Sequence, residues 1–118
     1  MTIEQQRRIV TVVPGPLSVE LQERRLAVVA AGVSSALPVF IEKAHGAIVV
    51  DVDGNSFIDL GSGIGVMTIG HTDEAVVAAA TEQLALVTHA MFTISPYESY
   101  VRVAELLAEH TPGDFPKK

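Results

Sequence analysis

Short apolar runs along the middle of the chain alternate with turn residues in the way that β-strands do. Residues 39–43, 47–52 and 56–60 are rich in β-branched and aromatic side chains. Asp53-Gly54-Asn55, between the last two runs, is a sequence that tolerates positive φ and favours a hairpin. The pattern therefore predicts three short antiparallel strands in a meander, one face of which has to be covered.

Helical spacing of apolar residues appears in three other segments. Residues 20–31 carry an apolar face behind Ser18 as a predicted N-cap, and residues 73–87 carry another behind Thr72. A third helix is predicted to open at the capping box Ser95-Pro96-Tyr97-Glu98, where Pro can occupy the first helical position. A meander with about three helices defines an α+β segment.

The amino-terminal residues do not continue either pattern. Residues 1–17 are predicted to be a flexible arm that ends at the turn Pro14-Gly15-Pro16, and residues 18–118 are predicted to be one structured segment. The apolar run in the arm, Ile9 to Val13, is too short for a signal-peptide core or a membrane span. The expected location is the cytoplasm.

Composition limits the size and the partners of the protein. The 118 residues, 48% of them hydrophobic, allow one domain or part of one. A net charge of −6 argues against nucleic acid as a partner, because such proteins need clustered Lys and Arg. The chain contains no Cys, which excludes disulfides and thiolate metal sites.

Generic site motifs are not matched. An EF-hand reading of Asp51, Asp53 and Asn55 fails because Ser56 replaces the required Gly. The run from Gly61 to Val66 lacks the third Gly of a dinucleotide fingerprint and the Gly-Lys-Ser/Thr ending of a P-loop. The four His residues show no i, i+4 pair, so no metal site is predicted.

A cluster of glycines is the most unusual stretch of the sequence. Gly61, Gly63, Gly65 and Gly70 fall within ten residues. Ordering a glycine has a high entropic cost, and glycines are therefore usually found in ordered segments where a Cβ atom would not fit. The cluster therefore suggests that the backbone passes close to a small molecule, with Ile64 at the centre.

This region resembles a known family. The segment D-V-D-G-N-S-F-I-D-L-G-S-G-I-G-V, the following G-H, and S-P-Y-E-S-Y are similar to the amino-terminal part of the class III pyridoxal-phosphate aminotransferases. The closing P-G-D-F-P-K-K looks most like the 4-aminobutyrate aminotransferases. The resemblance covers Pro14 to Lys118. Since such enzymes are much longer, it implies an amino-terminal small-domain segment of a fold-type I transferase, truncated before the cofactor-binding domain.

The resemblance also implies roles for particular residues. Ile64, between Gly63 and Gly65 in close backbone approach, would line the substrate pocket. Phe92 and Thr93 would belong to a loop that walls the active site at the interface of a homodimer or larger homo-oligomer; some members carry Gln in place of Thr93. The cofactor would be pyridoxal 5′-phosphate, which supplies the carbanion chemistry.

The same resemblance places the catalytic groups elsewhere. The lysines of this chain, Lys43, Lys117 and Lys118, do not fall on the motif position for the Schiff base, and no catalytic or cofactor-binding residue is expected within the 118 residues. The chain alone is therefore expected to be inactive and to need the remainder of the aminotransferase. Two alternatives stay open at this point: a standalone α+β binding module without cofactor, and one piece of a split enzyme completed in trans.

Overall fold

A computed structural model describes residues 3–117 of the chain. Its elements in chain order are α1 (Pro16–Val28), β1 (Ile41–His45), β2 (Ile48–Asp51), β3 (Ser56–Ile58), α2 (Ser62–Gly65), α3 (Glu74–Leu86) and α4 (Glu98–His110). The predicted combination of a small antiparallel sheet with helices is confirmed.

The three strands form an antiparallel sheet in the order β1-β2-β3. Ile48 at the start of β2 is opposite His45 of β1 and Ile58 of β3. Ile48 and Val50 point to the same face of the sheet, as alternation along a strand requires, and are buried together with Ile3. The predicted meander is therefore present: β1 is shifted by two residues from its predicted run, and β2 and β3 are shorter than theirs.

The turn between β2 and β3 binds the amino-terminal segment. Asn55 is fully buried, and its Oδ1 accepts hydrogen bonds from the amides of Val10 (2.8 Å) and Thr11 (3.0 Å). Arg8 and Ser56 exchange two backbone hydrogen bonds beside it, at 3.0 and 2.7 Å. The flexibility of residues 1–17 stays a prediction. Residues 1 and 2 of this arm lie outside the described part of the chain. Residues 8–11, however, are hydrogen-bonded to the sheet.

Helix α1 begins earlier than predicted and is capped from a distance. It runs from Pro16 to Val28 instead of residues 20–31, so Ser18 lies inside the helix and the prediction of Ser18 as N-cap is wrong. Asp53 supplies the cap: its two carboxylate oxygens accept from the amides of Leu17 (2.7 Å) and Ser18 (2.9 Å). A carboxylate at a helix N-terminus satisfies free amides and favours the dipole.

The other two predicted caps are also wrong in detail. The carboxylate of Asp73, not the Thr72 side chain, accepts from the amides of Ala75 (3.1 Å) and Val76 (3.2 Å) at the start of α3. Helix α4 has Tyr97 at its N-cap with no side-chain cap hydrogen bond, so the capping box opened by Ser95 does not form. Both helices lie within a residue or a few residues of their predicted bounds.

The chain divides into two compact units, the first ending at Val77 and the second beginning at Ala78. The sheet, α1 and α2 belong to the first unit, and α4 belongs to the second. None of the helices among residues 3–117 is long and apolar enough to cross a membrane.

Candidate functional site

The glycine loop, residues 61–70, begins with a single turn of left-handed helix. Ser62, Gly63, Ile64 and Gly65 all have positive φ, between 43° and 78°. Backbone hydrogen bonds from Gly65 to Gly61 (2.9 Å) and from Val66 to Ser62 (3.0 Å) close the turn. This conformation costs about 1–2 kcal/mol for each non-glycine residue, so something around Ser62 and Ile64 has to hold it.

The carboxylate of Asp59 holds the entry to this turn. Its Oδ1 accepts hydrogen bonds from the amides of Gly61 (3.0 Å) and Ser62 (2.8 Å). Its Oδ2 lies 2.7 Å from Nε2 of His71, beyond the other end of the loop. Asp59 therefore connects the two ends of the glycine loop, and the pair is named here the Asp59–His71 clamp.

His71 is fixed in turn by the hairpin of β1 and β2. It exchanges two backbone hydrogen bonds with Gly46, at 2.9 and 2.8 Å. Gly70 is in the left-handed region, and a Cβ there would lie 3.0 Å from the carbonyl oxygen of Gly46. Only glycine allows this approach of two backbone segments. The close approach at Gly70 is thus to the protein's own main chain.

The next residue adds a further link between the loop and the hairpin. The Thr72 hydroxyl donates to the carbonyl of Ala44 (3.0 Å) and lies 3.0 Å from Nδ1 of His45. Thr72 also has positive φ, which is uncommon for a β-branched residue. The exit of the loop is therefore held by both main-chain and side-chain contacts.

Hydrogen bonding favours the ionised form of Asp59. The bond from His71 is the largest cause, followed by the amide of Ser62, and together they lower the pKa of Asp59 against a smaller effect of desolvation. The side chains of His71 and Asp59 are only 21% and 18% exposed. The hydrogen bond between the two side chains is therefore partly shielded from water.

Ile64 lies at the tip of the left-handed turn and is 94% exposed. A Cβ at the neighbouring Gly65 would meet nothing within 4 Å, whereas one at Gly63 would meet the Val66 side chain at 3.0 Å. The open side of Gly65 leaves room for another group to approach the main chain there. The roles of Ile64, Gly63 and Gly65 in binding stay predictions.

A small cavity of about 340 Å³ lies beneath the loop. The clamp forms part of its wall, and the remaining lining residues are Gly46, Ala47, Ser62, Met67, Thr68, Ile69 and Gly70. The cavity is therefore bounded by the segments that fix the turn.

Phe92 and Thr93, the other predicted site residues, belong to the second unit. They lie in a turn before α4, where the amides of Ile94 and Ser95 both donate to the Met91 carbonyl at 2.9 Å. The Phe92 ring stacks on Tyr100 at 4.1 Å between centroids and meets Tyr97 edge-on at 5.6 Å. The packing fixes Phe92 by aromatic contacts within its own unit.

The described lysines contact other groups of the chain, and their lack of a cofactor role stays a prediction. Lys43 lies on the surface of β1, 3.4 Å from the carboxylate of Glu42. Lys117 donates to the carbonyls of Ala108 and Thr111 at the end of α4. Lys118 lies outside the described residues. Within residues 3–117, no group of His, Asp and Glu side chains could hold a metal ion.

Sequence reasoning missed Asp59 and His71 as functional candidates. His71 was considered as a metal ligand, whereas in the structure its side chain is half-buried and its Nε2 lies 2.7 Å from Oδ2 of Asp59. A signal was present, since Asp59 precedes the first glycine of the loop by two residues and His71 follows the last one directly.

The sequence matches a described protein family. The family described as aminotransferase class-III matches residues 28–117. A 4-aminobutyrate aminotransferase of Mycobacterium tuberculosis is 53% identical over 99% of this chain and 26% of its own length. A 5-aminovalerate aminotransferase of Pseudomonas aeruginosa is 44% identical over 83% of this chain and 23% of its own length. The chain thus spans about a quarter of the length of these relatives.

The fold gives the same result. The crystal structure of an omega-transaminase from Sphaerobacter thermophilus superimposes with a TM-score of 0.72 and 30% identity, over 84% of this chain and 23% of that one. The parent architecture predicted from the resemblance is therefore confirmed. Because the family match spans most of its residues, the chain belongs to the class III aminotransferases.

Proposed function

We propose that these residues act as the amino-terminal segment of a pyridoxal-phosphate-dependent aminotransferase. The reaction transfers the amino group of an ω-amino acid to 2-oxoglutarate, with 4-aminobutyrate as the favoured donor. The 53% identity to a 4-aminobutyrate aminotransferase supports this donor. A relative named for 5-aminovalerate keeps a longer ω-amino acid as the second candidate.

The observation that carries the proposal is the exposed position of Ile64 on a fixed turn. A large aliphatic side chain that is 94% exposed on a strained backbone contributes nothing to the core of its own unit. Strained segments are kept where the surrounding structure over-determines them, often at ligand sites. In the full-length enzyme Ile64 forms one wall of the substrate pocket, and Gly63 and Gly65 allow close approach of the ligand.

Phe92 and Thr93 contribute to the same enzyme through subunit contact. The aromatic cluster of Phe92, Tyr97 and Tyr100 keeps Tyr100 55% exposed. Such a rigid and accessible aromatic group suits an interface. We therefore place this turn at the boundary between two copies of a homodimer or larger homo-oligomer.

The segment by itself is proposed to be inactive. When bound, pyridoxal phosphate supplies the carbanion chemistry. The chain's own groups bind and shape: Ile64 limits the pocket, and the described lysines are engaged elsewhere. The standalone-module alternative expects the apolar face of the sheet to be covered, whereas within the first unit a groove of about 650 Å³ with mainly apolar walls lies beside the sheet.

Activity of the full-length polypeptide that carries this segment tests the proposal. We expect production of glutamate from 4-aminobutyrate and 2-oxoglutarate with added pyridoxal phosphate. The 118-residue chain, treated identically, is expected to give no glutamate and no lysine adduct after borohydride reduction and mass spectrometry. A full-length protein inactive on ω-amino acids would contradict the assignment, and an adduct on Lys43, Lys117 or Lys118 would contradict the inactivity of the segment.

A further inference from the structure

The two ends of the glycine loop are joined by Asp59 and His71, to which the proposed function assigns no contact with the substrate. Asp59 accepts two main-chain amides at the entry of the left-handed turn, from Gly61 and Ser62. It also accepts from His71, which follows the loop, at 2.7 Å. One carboxylate thus makes three hydrogen bonds to the two ends of a ten-residue loop.

The turn needs this restraint because its conformation is intrinsically unfavourable. Ser62 and Ile64 have φ of 43° and 63°. A β-branched residue in the left-handed region is an outlier that persists only when its surroundings enforce it. Without the two amide bonds to Asp59, Ile64 has an accessible route back to the ordinary negative-φ regions.

His71 is suited to orient Asp59 because its own position is fixed independently of the loop. Its main chain pairs with Gly46, and Gly70 leaves no space for a side chain against that strand pair. The imidazole therefore holds the carboxylate from a rigid hairpin. Removal of the imidazole frees Oδ2 and allows the carboxylate to rotate away from the amides that it accepts.

We propose that the Asp59–His71 clamp is a positioning device that fixes Ile64 and so sets the length of ω-amino acid that the enzyme accepts. The inference rests on the proposed function, in which Ile64 forms a wall of the substrate pocket. A fixed Ile64 keeps the pocket short and favours the four-carbon substrate. A released Ile64 moves out and admits the five-carbon substrate.

The test compares kcat/KM for 4-aminobutyrate and 5-aminovalerate in the full-length enzyme. His71→Ala is expected to lower the ratio of the two values about tenfold, the size of effect that one methylene has in an apolar pocket. In an Ile64→Ala background the same change should alter the ratio by less than about twofold, because residues that act through one another are not additive. His71→Gln, which keeps an N–H donor, should restore most of the ratio.

Asp73→Asn is the matched control. Asp73 accepts two amides at the start of α3, in the same geometry but outside the glycine loop. This variant is expected to leave the substrate ratio unchanged while lowering the melting temperature. An unchanged ratio in His71→Ala, or an equal change in both Ile64 backgrounds, would overturn the positioning role.

Amide hydrogen exchange separates this inference from the proposed function. His71→Ala is expected to speed exchange in a peptide covering residues 60–66 and to leave β1 and β2 unaffected. If the unmodified enzyme is inactive on both substrates, the proposed function is wrong. The exchange rates still show whether His71 holds the turn in place. Unchanged exchange in residues 60–66 would show that His71 does not hold the turn.

Discussion

Single buried side chains connect parts of this chain that are far apart in sequence. Asn55 is 0% exposed and uses both ends of its amide: Oδ1 accepts from two arm amides, and Nδ2 donates to Thr11 Oγ1 and to Asp51 Oδ2, both at 2.9 Å. Buried polar groups of this kind are stabilising only while every partner is present. Asn55 therefore joins the arm, the turn and the sheet in one network.

Asn55→Ala should be strongly destabilising. The substitution leaves one oxygen of the fully buried Asp51 without its partner, which costs about 1–3 kcal/mol, and it also removes the part-buried bonds to the Val10 and Thr11 amides. We expect a loss of about 3 kcal/mol in the free energy of unfolding, measured by urea denaturation. Gln6→Ala, at an exposed position of the arm, is the control and should change it by less than about 0.5 kcal/mol.

Asp59 makes the stability of the fold depend on acidic pH. Its pKa is lowered in the native state, chiefly by the bond from His71, so the unfolded chain binds the proton more readily. The stabilisation is present above the ordinary aspartate value of about 3.9 and is lost as pH falls through the lowered native pKa.

Asp59→Asn is therefore expected to flatten the decline of melting temperature between about pH 5 and pH 2. Thermal unfolding followed by circular dichroism across that range is the measurement. Asp114→Asn removes an exposed carboxylate and serves as control. A decline as steep in Asp59→Asn as in the unmodified protein would contradict the role of the clamp in acid stability.

At the scale of elements, the sequence predicted the three strands and the helices α1, α3 and α4, but neither the short turn α2 nor how the helices begin. The periodicity of apolar residues identified the meander and the helices, because it reflects burial along each element. The cap of α1 was missed because it depends on a distant residue: Asp53 reaches α1 from 36 positions away along the chain, and such a tertiary partner cannot be seen in a short window. The other two misses are local, since α3 is capped by Asp73, one residue after Thr72, and α4 has no side-chain cap hydrogen bond.

Gly15→Ala tests the capping of α1 by Asp53. A Cβ at Gly15 would lie 2.3 Å from Cγ of Asp53, so the carboxylate would have to leave the helix N-terminus. We expect a loss of about 1–3 kcal/mol in stability, the usual result of overpacking. In an Asp53→Gly background, where both the carboxylate and the Asp53 Cβ at 2.6 Å are absent, the same substitution should have little effect.

Gly32→Ala is the matched control for that substitution. A Cβ at Gly32 would meet nothing within 4 Å. Removing a glycine from such an open position reduces the entropy of the unfolded chain, so the variant should be neutral or stabilised by up to about 1 kcal/mol. An equal loss in Gly15→Ala with and without Asp53 would contradict the predicted clash.

At the scale of the whole molecule, the buried apolar core is small. Ile3, Ile48 and Val50 are its buried members among the described residues. A groove of about 650 Å³ beside the sheet has mainly apolar walls; its lining residues are Val13, Leu37, Pro38, Val39, Ile41, Val49, Phe57, Ile58, Asp59, Leu60 and Gly61. The glycine cluster lies in a segment with positive φ, and its approach to a small molecule stays a prediction; the clamp at Asp59 and His71 required the fold to be seen.

The exposed groove predicts dye binding by the 118-residue chain. We expect enhanced fluorescence of an anilinonaphthalene sulfonate probe, because contiguous exposed apolar surface binds such dyes. Ile58→Lys, in the groove wall, should reduce the enhancement. Val28→Lys, on α1 and equally apolar but outside the groove, should not. Equal effects of the two variants would show that the dye binds elsewhere.

The long-range bonds of Asn55 and Asp53 also constrain how the protein forms during translation. Val10 leaves the ribosome 45 residues before the side chain that binds its amide. At about 5–20 residues per second, that interval is roughly 2–9 s, whereas a helix forms in about a microsecond. The nascent segment of residues 10–18 therefore stays without its hydrogen-bond partners until the turn at Asp53 and Asn55 has been synthesised, and is accessible to chaperones during that time.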